Sequence, residues 1–369
     1  MSVYDLVVVG AGLIGSATAR HASQWGRVCL VGPEEPKSRT LDDARDIYGA
    51  HYDEGRMTRC IAHDPVWATL CQNSIARYRK LEADSGISFY DEVGTLVLGE
   101  NNSEYMNQNE NVIKDQNVKI SRLTYAELKK QYPYLNVSSR DYGLYEGTNA
   151  GYISPRKVVK AQIQQAKLYG CTFIPEVVNE VSRVVQDGEY YMRITTDSKH
   201  ILARKVLLAT GAFTPFRNLL PRGLELDLKL IPITVAKVEI SDLDFKKIKD
   251  MPGMVYFGKG TDDWTKAFPR DQTGVICWYM LPPVKYQDGV NRVSYHGDCC
   301  VITETPTERP YIDMLHSQLG VAIGGNGYGA KSSDEIGRIA AAMVLKNEWD
   351  STIPRTVFQA RFKDVDSKL

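Results

Sequence analysis

At 369 residues the chain predicts two or three domains, or one large α/β enzyme with an insertion. Lys plus Arg number 45 and Asp plus Glu number 45, so the formal net charge is zero and a strongly basic nucleic-acid binder is not the expectation. A soluble globular mix of 43% hydrophobic and 24% charged residues contains no run near 18 apolar residues, so neither nucleic acid nor membrane is expected as a partner.

Seven cysteines without a Cys-x-x-Cys pair argue against a disulfide framework or structural zinc and fit a reducing compartment. Six histidines without ligand spacing leave no expected metal site. Val3-Tyr4-Asp5 leads straight into the apolar run Leu6-Val7-Val8-Val9, so no secretory signal is expected, and the sequons at Asn101 and Asn136 read as chance matches.

Gly10-Ala11-Gly12-Leu13-Ile14-Gly15 follows that first strand and opens a helix, Ser16 to Trp25, before a second strand at Val28–Val31. This is the GxGxxG fingerprint in its strand-turn-helix-strand context. Gly10 permits the turn, Gly12 lets backbone approach a pyrophosphate, and Gly15 lets helix and strand pack. The helix N-terminus supplies amide donors to the phosphates. The pattern predicts a dinucleotide without separating FAD from NAD. An acidic residue usually ends the second strand and holds the ribose; here Gly32 stands there, and Glu34 or Glu35 is the substitute candidate.

Pro65 to Ser85 reads as a long helix closed by Gly86, and Glu92 to Gly99 as an alternating strand. Thr124-Tyr125-Ala126-Glu127 has capping-box spacing. Ser154-Pro155 starts a helix to about Tyr169, closed by Gly170, with a short strand at Cys171–Ile174 beyond it. Residues 177–210 read as short strands with turns at Asp187-Gly188 and Asp197-Ser198, ending in Val206-Leu207-Leu208 and Ala209-Thr210-Gly211-Ala212. Residues 228–300 read as mostly strand, with loops near Lys259–Asp263 and Gln287–Asn291. A last strand at Val321–Ile323 meets the turn Gly324 to Gly329 and a helix of about Asp334 to Lys346. The chain closes on Ser367-Lys368-Leu369, the address read by the peroxisomal import receptor, so that receptor and a peroxisomal location are expected.

Taken in order, these segments resemble the flavin-dependent amine oxidases of the D-amino-acid-oxidase superfamily, and within it the monomeric sarcosine oxidase group, over nearly the whole chain. The resemblance implies an α/β fold: a Rossmann-like FAD-binding domain from residues 1–85, 145–222 and 302–369, and a substrate domain with a mainly antiparallel sheet from 86–144 and 223–301. His51-Tyr52-Asp53-Glu54-Gly55-Arg56-Met57-Thr58-Arg59 looks like the family's flavin-contacting loop, which would set Arg56 near the flavin ring and Arg59 on the substrate carboxylate. Guanidinium binds carboxylate bidentately and stays charged, which suits that role. Gly324-Gly325-Asn326-Gly327-Tyr328-Gly329-Ala330-Lys331 resembles the last flavin loop, with Lys331 sharing the carboxylate. Further cofactor contacts would fall on Gly10, Gly12, Leu13, Ile14, Gly15, Glu34, His51, Tyr52, Val178, Ala209, Gly211, Gly325, Gly327, Tyr328 and Gly329. Cys300-Val301-Ile302-Thr303-Glu304-Thr305-Pro306 resembles the stretch whose cysteine carries FAD through a thioether; Cys300 aligns, with Cys299 beside it.

The pattern departs at the lysine that assists oxygen activation in the family. Aligning Tyr295-His296 with the corresponding aromatic-His pair puts Arg292 there, with Lys285 as the alternative and His296 near the substrate. Arginine keeps the charge but is bulkier and more weakly hydrated than an ammonium. The resemblance thus implies flavin-dependent oxidation of the C–N bond of a small secondary amino acid, with O2 reduced to H2O2, in a monomer. Rivals are a primary D-amino-acid or glycine oxidase, a flavin dehydrogenase with another acceptor, an NAD dehydrogenase, and a non-catalytic flavin scaffold. Tyr256, Trp278 and Tyr279 read either as pocket wall or, by default, as strand core.

Overall fold

The computed structural model describes residues 3–36, 47–259, 276–286 and 289–363, excepting the side chains of 234–236, 276 and 294–300. The side chains of Tyr295, His296, Cys299 and Cys300, and the whole of Ser367-Lys368-Leu369, therefore lie outside the described residues.

In chain order, the first half runs β1 (Tyr4–Val9), α1 (Leu13–Ala22), β2 (Val28–Val31), β3 (Arg56–Thr58), α2 (Pro65–Ser85), β4 (Tyr90–Asp91), β5 (Thr95–Glu100), α3 (Glu104–Asp115), β6 (Ser121–Leu123), α4 (Tyr125–Gln131), β7 (Asp141–Glu146), β8 (Gly151–Ile153) and α5 (Pro155–Leu168). The second half runs β9 (Thr172–Ile174), β10 (Val178–Gln186), β11 (Glu189–Thr196), β12 (His200–Leu208), β13 (Lys229–Glu239), α6 (Asp242–Ile248), β14 (Gly253–Gly258), β15 (Ile276–Met280), β16 (Val284–Lys285), β17 (Asn291–Glu304), β18 (Tyr311–His316), β19 (Leu319–Ile323) and α7 (Gly329–Ala341).

The main sheet has the order β10-β11-β12-β1-β2-β9. β1 lies parallel to both β2 and β12, and its apolar run is buried on both faces, which is why it reads as continuous rather than alternating. β12 forks the sheet: His200–Ala203 pairs with β11 and Val206–Leu208 with β19. One face is covered by the core of Leu6, Val8, Leu30, Trp67, Ile336 and Ile339, the other by that of Val7, Val9, Val31, Ile194 and Leu208.

A second, five-stranded sheet, β15-β14-β5-β7-β6, is antiparallel except for the β14–β5 pair. Three-stranded sheets β13-β17-β16 and β3-β8-β4 complete the set. The fold is thus α/β with a second, mainly antiparallel region drawn from separate stretches of chain, as the resemblance implies.

The local signals that hold are those with their own chemistry. Asp64 caps α2 through the amides of Val66 and Trp67, Pro65 sits at its first position, and Gly86 (φ 66°) ends it. Thr124 and Glu127 form the capping box of α4.

Several expectations are corrected. The first helix covers Leu13–Ala22 rather than Ser16 to Trp25. Thr95–Glu100 is not an alternating strand: Leu96 and Leu98 enter one core and Val97 another, so both faces are buried. α3 is a helix the periodicity did not announce, and α6 interrupts the mostly strand stretch 228–300. β18 was also unread. The last helix starts at Gly329, well before Asp334, and widens into a π turn over Ala342–Lys346. Burial of its first two turns outweighs the poor helix propensity of glycine and serine there.

Candidate active site

β1 delivers the chain to Gly10, and α1 opens with Gly12 as an N-cap that makes no side-chain capping bond. Its first amides are left for an outside acceptor. Any side chain at Gly15 would put a Cβ 1.8 Å from the Gly10 oxygen, so the turn and helix touch backbone to backbone. A Cβ built on Gly12 meets nothing closer than His51 Nδ1 at 4.0 Å, which leaves the approach to its amide open. The Ala209 amide donates to Val9 O (2.8 Å), bringing Ala209-Thr210-Gly211 alongside the same turn. Val178 is buried at the start of β10.

His51 is buried and its Nδ1 has no hydrogen-bond partner. Burial, and then the charge of Arg156, hold its pKa down to about 3, so the imidazole facing this turn is neutral. The Tyr52 hydroxyl donates to Glu34 O (3.2 Å). Arg156 takes both carboxylate oxygens of Glu35 (2.5 Å each) and also pairs with Glu54. Glu35 is therefore committed to an ion pair, leaving the exposed Glu34 as the ribose candidate of the two. The missing acid at position 32 has a steric cause: a Cβ there would stand 2.4 Å from the Ala11 amide nitrogen.

The small sheet β3-β8-β4 carries the two arginines. Arg56 pairs with Asp53 and donates to Gly55 O (3.1 Å), and Lys237 Nζ lies 3.8 Å from the same Asp53. Arg59 is buried, donating from Nη1 to Ile61 O (2.5 Å) and from Nη2 to the Tyr105 hydroxyl (3.4 Å). The buried Glu146 carboxylate accepts the amides of Cys60 and Ile61 at 3.0–3.1 Å, which fixes the backbone just past Arg59.

Lys331 arrives from the other side, in the first turn of α7. Asn326 shapes the approach: its amide side chain donates to Gly324 O (2.6 Å) and accepts from Thr305 N (2.9 Å). The Tyr78 hydroxyl donates to Lys331 O (2.9 Å), so the backbone is held while Nζ, buried, has no hydrogen-bond partner. Burial lowers the Lys331 pKa; the Cys71 thiol opposes this and the Arg59 charge adds to it. The Lys331 amine and the Arg59 guanidinium thus share one buried place, with Nζ 5.1 Å from the Tyr328 ring centroid. Tyr105 stacks on Phe257 at 3.8 Å, and Trp67 lies 5.3 Å from Tyr328. His63 lies 5.5 Å from Tyr105 and 5.6 Å from Tyr328. Arranged this way, the residues offer an anion site walled by aromatic rings, beside a dinucleotide turn.

Sequence reasoning missed Tyr105, His63 and Phe257. No local signal marks Tyr105, which reaches Arg59 from 46 positions away. Tyr105 and Phe257 also border a cavity of about 600 Å³ lined by Glu100, Asn101, Ser103 and Gln108 among others.

The other assignments fall differently. Arg292 pairs with Glu239 (2.7 Å) across the β13–β17 ladder and lies 5.2 Å from the Tyr286 ring centroid. Lys285 is exposed on β16. The backbones of His296 and Cys300 sit opposite Val235 and Ile233 on β13. Tyr256 is fully buried, reaches Asp141 (3.4 Å) and stacks on Trp278, so both belong to strand core.

Fold and site together define a dinucleotide-binding protein with a buried anion site beside its glycine turn. The DAO family, described as FAD dependent oxidoreductase, matches residues 5–343, and the chain belongs to it. Monomeric sarcosine oxidase of Bacillus sp. (strain B-0618) is 22% identical over 388 residues, covering 95% of each chain. N-methyl-L-tryptophan oxidase of Yersinia pestis (strain Pestoides F) is 21% identical, covering 98% of this chain and 100% of its own. Among solved structures, NikD, an unusual amino acid oxidase essential for nikkomycin biosynthesis, superposes with a TM-score of 0.74 at 17% identity over 98% of both chains.

Proposed function

We propose that this FAD-dependent enzyme oxidises the C–N bond of a small secondary amino acid, N-alkyl or cyclic, to an imine, with O2 reduced to H2O2. The observation that carries the reading is the buried pair Arg59 and Lys331, in which Lys331 Nζ lacks a hydrogen-bond partner. An unpaired buried ammonium is costly, and a substrate carboxylate supplies the missing partner. Sarcosine and N-methyl-L-tryptophan, which name the two relatives above, are both carboxylates with a secondary amine.

The Gly10–Gly15 turn and the α1 N-terminus would hold the FAD pyrophosphate, Ala209-Thr210-Gly211 would flank it, and Gly325–Gly329 would approach the ring. FAD supplies the two-electron acceptor; the chain supplies orientation, charge and exclusion of water. Arg59 and Lys331 fix the carboxylate, and the rings of Tyr105 and Tyr328 cover the reacting end.

Two finer statements belong to the same proposal. FAD is attached through Cys300, and Ser367-Lys368-Leu369 directs the chain to peroxisomes. A peroxide assay across N-methyl amino acids, pipecolate, glycine and D-amino acids tests the substrate class; activity confined to primary amines overturns it. Acid precipitation tests the linkage: yellow colour should stay with the pellet, and colour in the supernatant removes Cys300. A chain lacking the last three residues should keep its activity but stay in the cytosol.

A further inference from the structure

We propose that His63 is the base that takes the ammonium proton from the bound substrate, and that Tyr328 holds the imidazole for that transfer. The inference rests on the carboxylate site proposed above. His63 stands just before the N-cap of α2, and its ring lies 5.5 Å from Tyr105 and 5.6 Å from Tyr328. Those tyrosines are the ones that reach Arg59 (3.4 Å) and Lys331 (5.1 Å, Nζ to ring). A carboxylate held by the two cations has its amine two bonds away, in the space these rings border.

A secondary amino acid reaches the enzyme at neutral pH as an ammonium, because alkylammonium groups lose their proton near pH ~10. That form has no lone pair to give to an oxidant. Arg59 and Lys331 bring no acceptor to the site. Burial raises the Tyr328 hydroxyl, which keeps its proton. His63 remains as the group with a free nitrogen lone pair. Its Nδ1 is 3.4 Å from the Tyr328 hydroxyl. In the tautomer that donates Nδ1–H to that oxygen, Nε2 carries the lone pair, and no described residue hydrogen-bonds Nε2.

The charges facing His63 suit the task. Burial lowers its pKa, as do Arg59 and Lys331, while Asp64 and Glu308 raise it. Asp64 is itself paired with Arg309. The imidazole of the free enzyme is therefore neutral at physiological pH. A bound carboxylate offsets Arg59 and Lys331, so substrate binding makes His63 a stronger base at the moment it is needed. In the step itself the ammonium N–H bond breaks, an N–H bond forms at Nε2, and the amine lone pair is freed; no electrons leave the substrate here.

The test is the pH profile of kcat/KM for holoenzyme and its His63→Gln variant with an N-methyl amino acid, from pH 5.5 to 10. Wild type should hold a plateau across neutral pH with an acid limb below 6.5, the ordinary value from which His63 is lowered. The variant should lose about 10³-fold at pH 7, then rise about tenfold per pH unit until the substrate amine deprotonates unaided near pH ~10. Tyr328→Phe should move the acid limb to lower pH, because the imidazolium loses an acceptor. Unchanged flavin absorption in both variants separates these effects from misfolding. An unshifted profile in both variants, or an equal loss at every pH, overturns the assignment of His63 and leaves the substrate class intact. Wild type inactive on every secondary amino acid overturns the carboxylate site and the proposal with it.

Discussion

Lys331 brings an ammonium into a buried place where Nζ has no hydrogen bond, which favours function over stability. Replacing it with methionine keeps the volume and removes the charge. KM for the amino acid should rise by roughly a hundredfold, the equivalent of about 3 kcal/mol. Stability should rise by ~1 kcal/mol or more, because an unpaired cation has been removed from the interior. Steady-state kinetics with a thermal melt reads both; an unchanged KM would show that the carboxylate lies elsewhere. Arg59→Ala should also raise KM, but with a loss of stability, since its guanidinium holds Ile61 O and Tyr105. The opposite stability signs distinguish a cation built into the structure from one held ready for a ligand.

At the scale of elements, α7 is held in register by a buried cluster. Asp334 accepts from Arg20 (2.6 Å) on α1, from Arg77 (2.6 Å) on α2 and from Gln162 (2.9 Å) on α5, with His21 at 3.3 Å. Burial alone would raise the Asp334 pKa; His21, Arg20 and Arg77 outweigh it and hold the carboxyl well below the usual range. A depressed folded pKa contributes stability in full above the unfolded value near ~3.9, and the contribution is lost as pH falls through the folded one. His21, itself lowered by burial, adds a loss that begins as pH falls through about 6.5, because the unfolded chain takes up that proton first. Asp334→Asn should cost about 3–5 kcal/mol at pH 7, by leaving Arg20 and Arg77 unbalanced, and should flatten acid unfolding below pH ~4. Urea titrations from pH ~7 down to pH ~2 check this; a penalty that stays constant over that range would assign the effect to packing. None of this cluster was legible in the sequence. Asp64-Pro65, Thr124-Glu127 and the Gly10–Gly15 turn could be read because their partners lie within a few residues. Asp334 finds Arg20 across 314 positions, Tyr105 sits on a helix burying only Met106, Asn109 and Val112, and α6 buries nothing. α6 therefore shows no apolar stripe to read, and that of α3 is short and diluted by polar residues.

Across the whole molecule, the candidate FAD contacts fall on residues 10–15, Glu34, 51–59, Val178, 209–211, Cys300 and 324–331, on different strands, turns and loops. A cofactor held by them would cross-link segments distant in sequence, and its binding energy would be folding energy for all of them. In a Cys300→Ser variant, which would hold FAD without the thioether, a hundredfold excess over its Kd should add about 2.7 kcal/mol. For a chain of this size, each kcal/mol moves Tm by roughly 1.3 °C, so that variant without flavin should melt about 3–4 °C below its FAD-loaded form. The loss should be shared, because Trp67 packs in the main core while also lying 5.3 Å from Tyr328 in the glycine loop. Tryptophan fluorescence and flavin absorbance should then report one coincident transition in the holoenzyme. If, in the Cys300→Ser holoenzyme, flavin were released well before the tryptophan signal changed, the cofactor would occupy the surface of an already complete fold, and the cross-linking role of these segments would fall.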